Sequence, residues 1–316
     1  MKSAFQETPR VAQGPVAALE TRLRALLSPS TLIAPWAPLA RRTTLRVGGC
    51  AELLVEPADE RDLAITIAEA RSLGVPWRVI GRGSNLLVRD GGVRGMVLCL
   101  DQPAFTRIDV QAPLISCGAG VRLRDVAMTA RREGLAGLEF LAGIPGSVGG
   151  ALRMNAGAWS CATFERLERV RYMAVGGTIH ERAGREVPFA YRRCEFFGEN
   201  IALSAVFRGE PSTPEEVGRT LDDLNARRWA TQPAAASAGC IFKNPPEIPA
   251  GRLIEELGLK GERVGAARVS EIHGNFIVNE GGATAADVLQ LIELIRTRAR
   301  QERGIELETE VEIIGE

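Results

Sequence analysis

The sequence predicts an α+β fold in two or three lobes. Its 316 residues exceed what a single domain of roughly 100–200 residues needs. Helical and strand-like periodicities succeed one another along the whole chain. A glycine-dense stretch, 134–157, and the prolines Pro211 and Pro214 punctuate it into parts.

From the start, Val16, Leu19, Leu23, Leu26 and Leu27 recur at helical spacing, so residues 1 to about 40 read as an arm with one helix, stopped by Pro29 and Pro35. Ala51–Val55 reads as a strand, and Asp59 caps a helix with Leu63, Ile67 and Ala70 on one face. Pro76–Ile80 is a strand running into Gly81-Arg82-Gly83-Ser84-Asn85, and Gly95–Leu100 is another. A helix over 122–133 precedes the glycine-dense stretch, which reads as one long loop. Short strands near Val170, near Ile179 and over 201–207 predict a β-rich second lobe. Thr213 opens a helix with Val217, Leu221 and Leu224 inward. Thr284 and Asp287 resemble a capping box before a helix with Val288, Leu291, Ile292, Ile295 and Ala299 on its apolar face, and Gly304 ends it. Ile305–Ile313 alternates strictly, which predicts a strand with Glu306, Glu308, Glu310 and Glu312 on its polar face.

Composition narrows the function. Lys plus Arg and Asp plus Glu both total 39, so no global field favours nucleic acid or an anionic membrane. The stretch poorest in charge, Leu138–Trp159, is broken by Glu139, Pro145, Arg153 and glycines, so nothing offers the ~20 apolar residues of a bilayer span. The opening residues MKSAFQETPRVAQG lack the apolar centre of an export signal, which predicts a cytoplasmic protein. Six dispersed cysteines without a CxxC pair predict free thiols, and two histidines, His180 and His273, predict no metal site.

Two glycine segments carry the ligand argument. In Gly81-Arg82-Gly83-Ser84-Asn85-Leu86 the glycines permit positive φ, and Ser84 and Asn85 add donors; by itself this is a plain turn or an anion cradle. Leu86 replaces the third glycine of GxGxxG and no helical pattern follows at once, which disfavours a Rossmann site. The second runs Gly143-Ile144-Pro145-Gly146-Ser147-Val148-Gly149-Gly150-Ala151 and on to Asn155-Ala156-Gly157. That glycine density costs backbone entropy, which close approach to an extended ligand would offset.

In one order and spacing, PLARRTTLRVGG, GRGSNLLVRDGG, GLEFLAGIPGSVGGALRMNAGA, Tyr191-Arg192-Arg193, SAGCIFKNP and LETEV resemble the UDP-N-acetylenolpyruvoylglucosamine reductase family, from about Pro38 to Gly315. The resemblance implies two FAD-binding lobes of the vanillyl-alcohol-oxidase type, 38–104 and 105–210, after an arm, 1–37, and before an α+β substrate-binding lobe, 211–316. It implies noncovalent FAD held by Gly81, Arg82, Gly83, Ser84, Asn85, Leu86, Gly143, Ile144, Pro145, Gly146, Ser147, Gly149, Gly150, Asn155, Ala156 and Gly157. It also implies NADPH as co-substrate, small molecules as the only partners, and a monomer.

The family reaction adds hydride to an enol ether beside a carboxylate. Negative charge builds there, so the site needs an electrophile and a proton donor. Arg192 matches the family's carboxylate-gripping arginine, although alone it reads as a surface arginine on a strand. Glu310 matches the glutamate of the LExEV motif, although its neighbours suit a solvated edge. Cys240 stands where the family's usual proton donor is serine. A thiol of pKa ~8.5 is the stronger acid, yet beside Arg192 and Lys243 it could ionise; its bland reading is a small buried apolar residue. The resemblance puts Tyr191, Lys243, Asn244 and Lys260 at the substrate. Two rivals stand beside this reading: another noncovalent-FAD oxidoreductase of the same fold, and a non-catalytic UDP-sugar-binding protein.

Overall fold

The computed structural model describes residues 14–316; the expectation about an export signal lies outside them, in the first 13. The first sheet has four strands in the order Leu32–Pro38, Cys50–Glu56, Val93–Leu98, Trp77–Val79. Its first pair is antiparallel and the other two are parallel. Asp59 accepts a hydrogen bond from the Asp62 amide to start the Glu60–Ser72 helix, whose Leu63, Ile67 and Ala70 are buried.

From residue 14 on, the segment expected as an arm is a helix and an edge strand of this sheet. Helix Gly14–Leu26 buries Val16, Leu19 and Leu23, whereas Leu26 is exposed. Strand Leu32–Pro38 then pairs with Cys50–Glu56, Pro35 opposite Leu53. Pro35 looked like a breaker, but an edge strand tolerates proline because its outward N–H needs no partner.

The second sheet has five antiparallel strands, ordered Ile179–Ala183, Leu167–Ala174, Asn200–Arg208, Leu114–Gly118, Ile108–Gln111. Its Val170 and Phe207 share one core with Leu53 and Ile67 of the first layer. The stretch 134–157 is not one loop. It holds a 3₁₀ turn, Glu139–Gly143, and a helix, Val148–Met154, capped by the Ser147 side chain. Gly149 and Gly150 argue against a helix by propensity, but a Cβ at Gly149 would lie 3.3 Å from the Ala119 carbonyl oxygen, so close packing sets the residue there.

The third lobe orders its strands Ala236–Cys240, Phe276–Asn279, Ala267–Val269, Arg263–Val264. Helices Ala250–Glu256 and Ala285–Arg303 build a second core from Leu253, Ile254, Val288, Leu291 and Ile295, which Leu45, Val47 and Leu87 of the first lobe join. The Thr284–Asp287 capping box is complete and Gly304 closes the helix at φ 65°. Within the expected strand 305–313, ladder pairing is confined to the end, with one isolated bridge before it. Glu312–Ile314 lies parallel to Leu86–Val88 of the first lobe, and an isolated bridge joins Thr309 to Phe242. Leu307 and Val311 are buried and Glu306 and Glu308 exposed, so the alternation is real, but this segment crosses between lobes instead of lining one sheet. Among the described residues no helix is long and apolar enough to cross a membrane.

Candidate active site

Gly81 to Leu86, Gly143 to Ser147, Gly149, Gly150, Ala156 and Gly157 all line one cleft of about 1010 Å³, together with Arg192, Cys240 and Glu310. The two glycine segments meet at its floor. A Cβ on Gly81 would fall 2.5 Å from the Ser147 Oγ, and one on Gly83, at φ +60°, would fall 2.3 Å from the Arg42 carbonyl oxygen. Asn85 Nδ2 donates to the Glu310 carbonyl at 3.0 Å, and the Glu312 amide donates to the Asn85 carbonyl at 3.0 Å. The GRGSN loop thereby fixes the segment that carries Glu310.

Arg192 Nε donates to Glu310 Oε1 at 2.9 Å and Nη2 to the Gly157 carbonyl at 3.1 Å. One edge of the guanidinium is thus occupied while N–H groups remain at its tip. Arg192 itself sits at φ 56°, as Asn155, Trp159 and Ser160 sit at φ 41°, 55° and 64°. Such backbone costs of order 1–3 kcal/mol per non-glycine residue and clusters where geometry is functional.

Cys240 ends a strand bulged after Ser237, with Gly239 at φ +77°. Burial pushes its thiol up to about 12, Glu310's charge adds to this, and Arg192 only partly opposes it. The hazard of ionisation beside Arg192 and Lys243 is therefore outweighed: burial favours the protonated thiol at neutral pH. Burial likewise raises Glu310, against the pull of Arg192.

Five expected residues lie elsewhere. Asn155 is buried; its Nδ2 donates to the Ala190 carbonyl and its Oδ1 accepts from the Phe164 amide, bracing the Arg192 loop from below. Tyr191 is exposed and lays its ring against the Arg192 guanidinium, 4.9 Å from centroid to Cζ. Lys243 pairs with Glu308 beside a smaller cavity of about 280 Å³ that also touches Arg153, Arg192 and Glu310. The exposed Asn244 accepts from the Ala250 amide at 3.0 Å and anchors a helix start. Lys260 pairs with Glu255 at 3.0 Å, away from the cleft. Sequence reasoning missed Trp159 and Arg153, which line the cleft. Trp159 follows the NAGA motif directly, the one signal that pointed to it.

A profile described as the UDP-N-acetylenolpyruvoylglucosamine reductase C-terminal domain matches residues 232–314, and an FAD binding domain profile matches 51–182. The UDP-N-acetylenolpyruvoylglucosamine reductase of Geobacter metallireducens is 45% identical over 285 residues, 88% of this chain and 93% of its own length. The chain belongs to the UDP-N-acetylenolpyruvoylglucosamine reductase family. The reductase of that name from Bacillus licheniformis is 43% identical, covering 88% of this chain. The crystal structure of the reductase from Thermus caldophilus superimposes with a TM-score of 0.78 at 38% identity, over 90% of this chain and 99% of that one. The family fold is α+β, with an FAD binding domain before an α+β C-terminal lobe.

Proposed function

We propose that this protein reduces UDP-N-acetylglucosamine enolpyruvate to UDP-N-acetylmuramate, a peptidoglycan precursor, with noncovalent FAD and with NADPH as the reductant. The observation that carries this is the convergence of Arg192, Glu310 and Cys240 on the cleft floored by both glycine segments. The cleft fits FAD. Its volume reaches the upper end of small-molecule sites, ~300–1,000 Å³. A Cβ at Gly146 would meet nothing closer than Ser84 Oγ at 3.5 Å, so only the absence of a side chain keeps that space clear, and the buried Trp159 indole N–H beside Gly143 has no protein partner. No histidine lines the cleft, which supports noncovalent attachment. The glycine segments and Ala156 would hold the cofactor.

Bound FAD supplies the hydride that NADPH delivers to the enzyme. The chain's own groups do the rest. The free tip of Arg192 grips the substrate carboxylate, and its charge counts for more as enolate character develops. Glu310 holds the guanidinium by Nε and so aims that tip. Cys240, kept neutral by burial, donates the proton to the adjacent carbon. Tyr191, Lys243, Asn244 and Lys260 act on substrate at most from the rim or through the elements they brace. We assign the arm to 1–37, the FAD lobes to 38–104 and 105–210 and the substrate lobe to 211–316, with the arm's strand completing the first sheet. We further place the protein in the cytoplasm as a monomer. The test is optical: purified protein should show flavin absorbance that NADPH bleaches and UDP-N-acetylglucosamine enolpyruvate restores. Colourless protein that binds the sugar nucleotide would instead favour the non-catalytic binding reading.

A further inference from the structure

Behind Cys240 lies a buried amide that the chemistry above leaves unused. Asn275 is 2% exposed. Its Oδ1 accepts from the Phe242 amide at 2.9 Å, its Nδ2 donates to the Phe242 carbonyl at 2.8 Å, and its own carbonyl accepts from the Ile241 amide at 2.9 Å. The Ile241 carbonyl in turn accepts from the Glu310 amide at 2.8 Å. Asn275 therefore holds both residues that join Cys240 to the Glu310 segment, Phe242 by its side chain and Ile241 by its main-chain carbonyl. Behind it, the Asn275 amide donates to His273 Nδ1 at 3.2 Å, and Gly251 leaves room for that ring, since a Cβ there would lie 2.7 Å from Cε1.

We propose that Asn275, backed by His273, is the positioning residue that sets Cys240 and Glu310 in register for protonation of the substrate. The proposal rests on the reductase reading. An amide suits the task because it offers donor and acceptor together, matched to both groups of the Phe242 backbone. Asp would keep the acceptor but face the Phe242 carbonyl with a second oxygen, leaving a buried acceptor unpaired. The histidine must present a bare Nδ1. Burial, with Lys260's charge, holds it low and so neutral, while Glu255 opposes them.

The experiment uses FAD-loaded protein carrying Asn275→Asp, His273→Leu or His273→Asn. With Asn275→Asp and His273→Leu, reoxidation of reduced FAD by UDP-N-acetylglucosamine enolpyruvate should slow about tenfold or more, the expected effect of a lost buried hydrogen bond at the reacting geometry. FAD reduction by NADPH should change less than about twofold, because no proton donor is needed there. His273→Asn, which restores an acceptor, should recover most of the rate. A second reading needs no turnover: alkylation followed by mass spectrometry should speed up at Cys240 in the slow variants and stay unchanged at the buried Cys99 and Cys117. Unchanged Cys240 alkylation, or equal losses in both half-reactions, overturns the proposal. Failure of the wild-type protein to oxidise NADPH with substrate would overturn the reductase reading instead, and the alkylation comparison would still decide the role of Asn275.

Discussion

At the residue scale, burial favours the protonated form of Cys240. Its pKa, pushed up to about 12, puts the thiolate limb outside the usual assay range. Cys240→Ser should keep substantial activity and Cys240→Ala should lose about 10²-fold or more in FAD reoxidation, the usual span for a general acid. Between pH 7 and 10 the wild-type rate should show no decline that disappears in Cys240→Ser; a limb abolished by that change would mean the thiol titrates low. The same shift has a stability sign. An unfolded thiol ionises near pH ~8.5 while the folded one stays protonated, so stability conferred by the neutral thiol is full below that pH and drains as pH rises toward 12. Cys99, also pushed up to about 12 by burial, adds to the trend, which a urea midpoint measured at pH 7 and pH 10 would reveal. Arg192→Ala and Glu310→Gln should spare FAD reduction by NADPH and slow reoxidation by substrate, read by stopped-flow absorbance; equal losses would reassign the pair to structure. None of these roles was readable from periodicity or charge. Glu310 sits in a strictly alternating run whose other glutamates at 306 and 308 are exposed, and only the crossing between lobes turns it inward.

At the scale of elements, the legible parts were those whose signals are local. The Thr284–Asp287 cap, the Gly304 stop and the Asp59 cap each depend on a few neighbouring residues, and all three formed as expected. The elements that escaped depend on distant partners. Helix Val148–Met154 exists against its glycines because its Gly149 packs on Ala119, and strand Leu32–Pro38 exists because Cys50–Glu56 offers it an edge. The turn just before that helix supplies a test of the cofactor site. Gly146→Val should place methyl groups in space that only Ser84 Oγ and Leu123 Cδ1 border, at 3.5 and 3.6 Å. Purified Gly146→Val should come without flavin yet retain its far-ultraviolet dichroism. Full flavin occupancy would move the cofactor off this segment.

At the scale of the molecule, one large cleft must serve two ligands. The proposed function gives the glycine segments to FAD, and the chain has no second dinucleotide fingerprint. NADPH and the sugar nucleotide should therefore take turns beside Arg192 and Cys240, giving parallel initial-rate plots and inhibition at high substrate. Intersecting plots would demand separate sites. Family membership was legible because several motifs, each weak alone, kept their order along the chain. The cleft's membership was legible for the backbone-lined part and much less so for Tyr191, Lys243, Asn244 and Lys260, whose side chains found a guanidinium, nearby carboxylates or a backbone N–H instead.

The crossing of the last segment predicts that the site assembles late in folding. The hydrogen bond from Asn85 to the Glu310 carbonyl joins positions 225 residues apart, and the parallel strand beside it closes a comparable loop. Contacts of that span are entropically the dearest to form and are rewarded only after the intervening lobes are in place. Leu307 and Val311 of this segment lie in the core of the third lobe and Ile314 in that of the first, so the Arg192–Glu310 pair is expected to assemble as these two lobes join. Refolding from urea should recover lobe fluorescence before it recovers turnover, and the lag should lengthen when Glu312–Ile314 is weakened by Ile313→Gly. Simultaneous recovery would show that the strap forms with the lobes. In this enzyme the clock of maturation would be read at the final strand, where sequence distance rather than burial sets the pace.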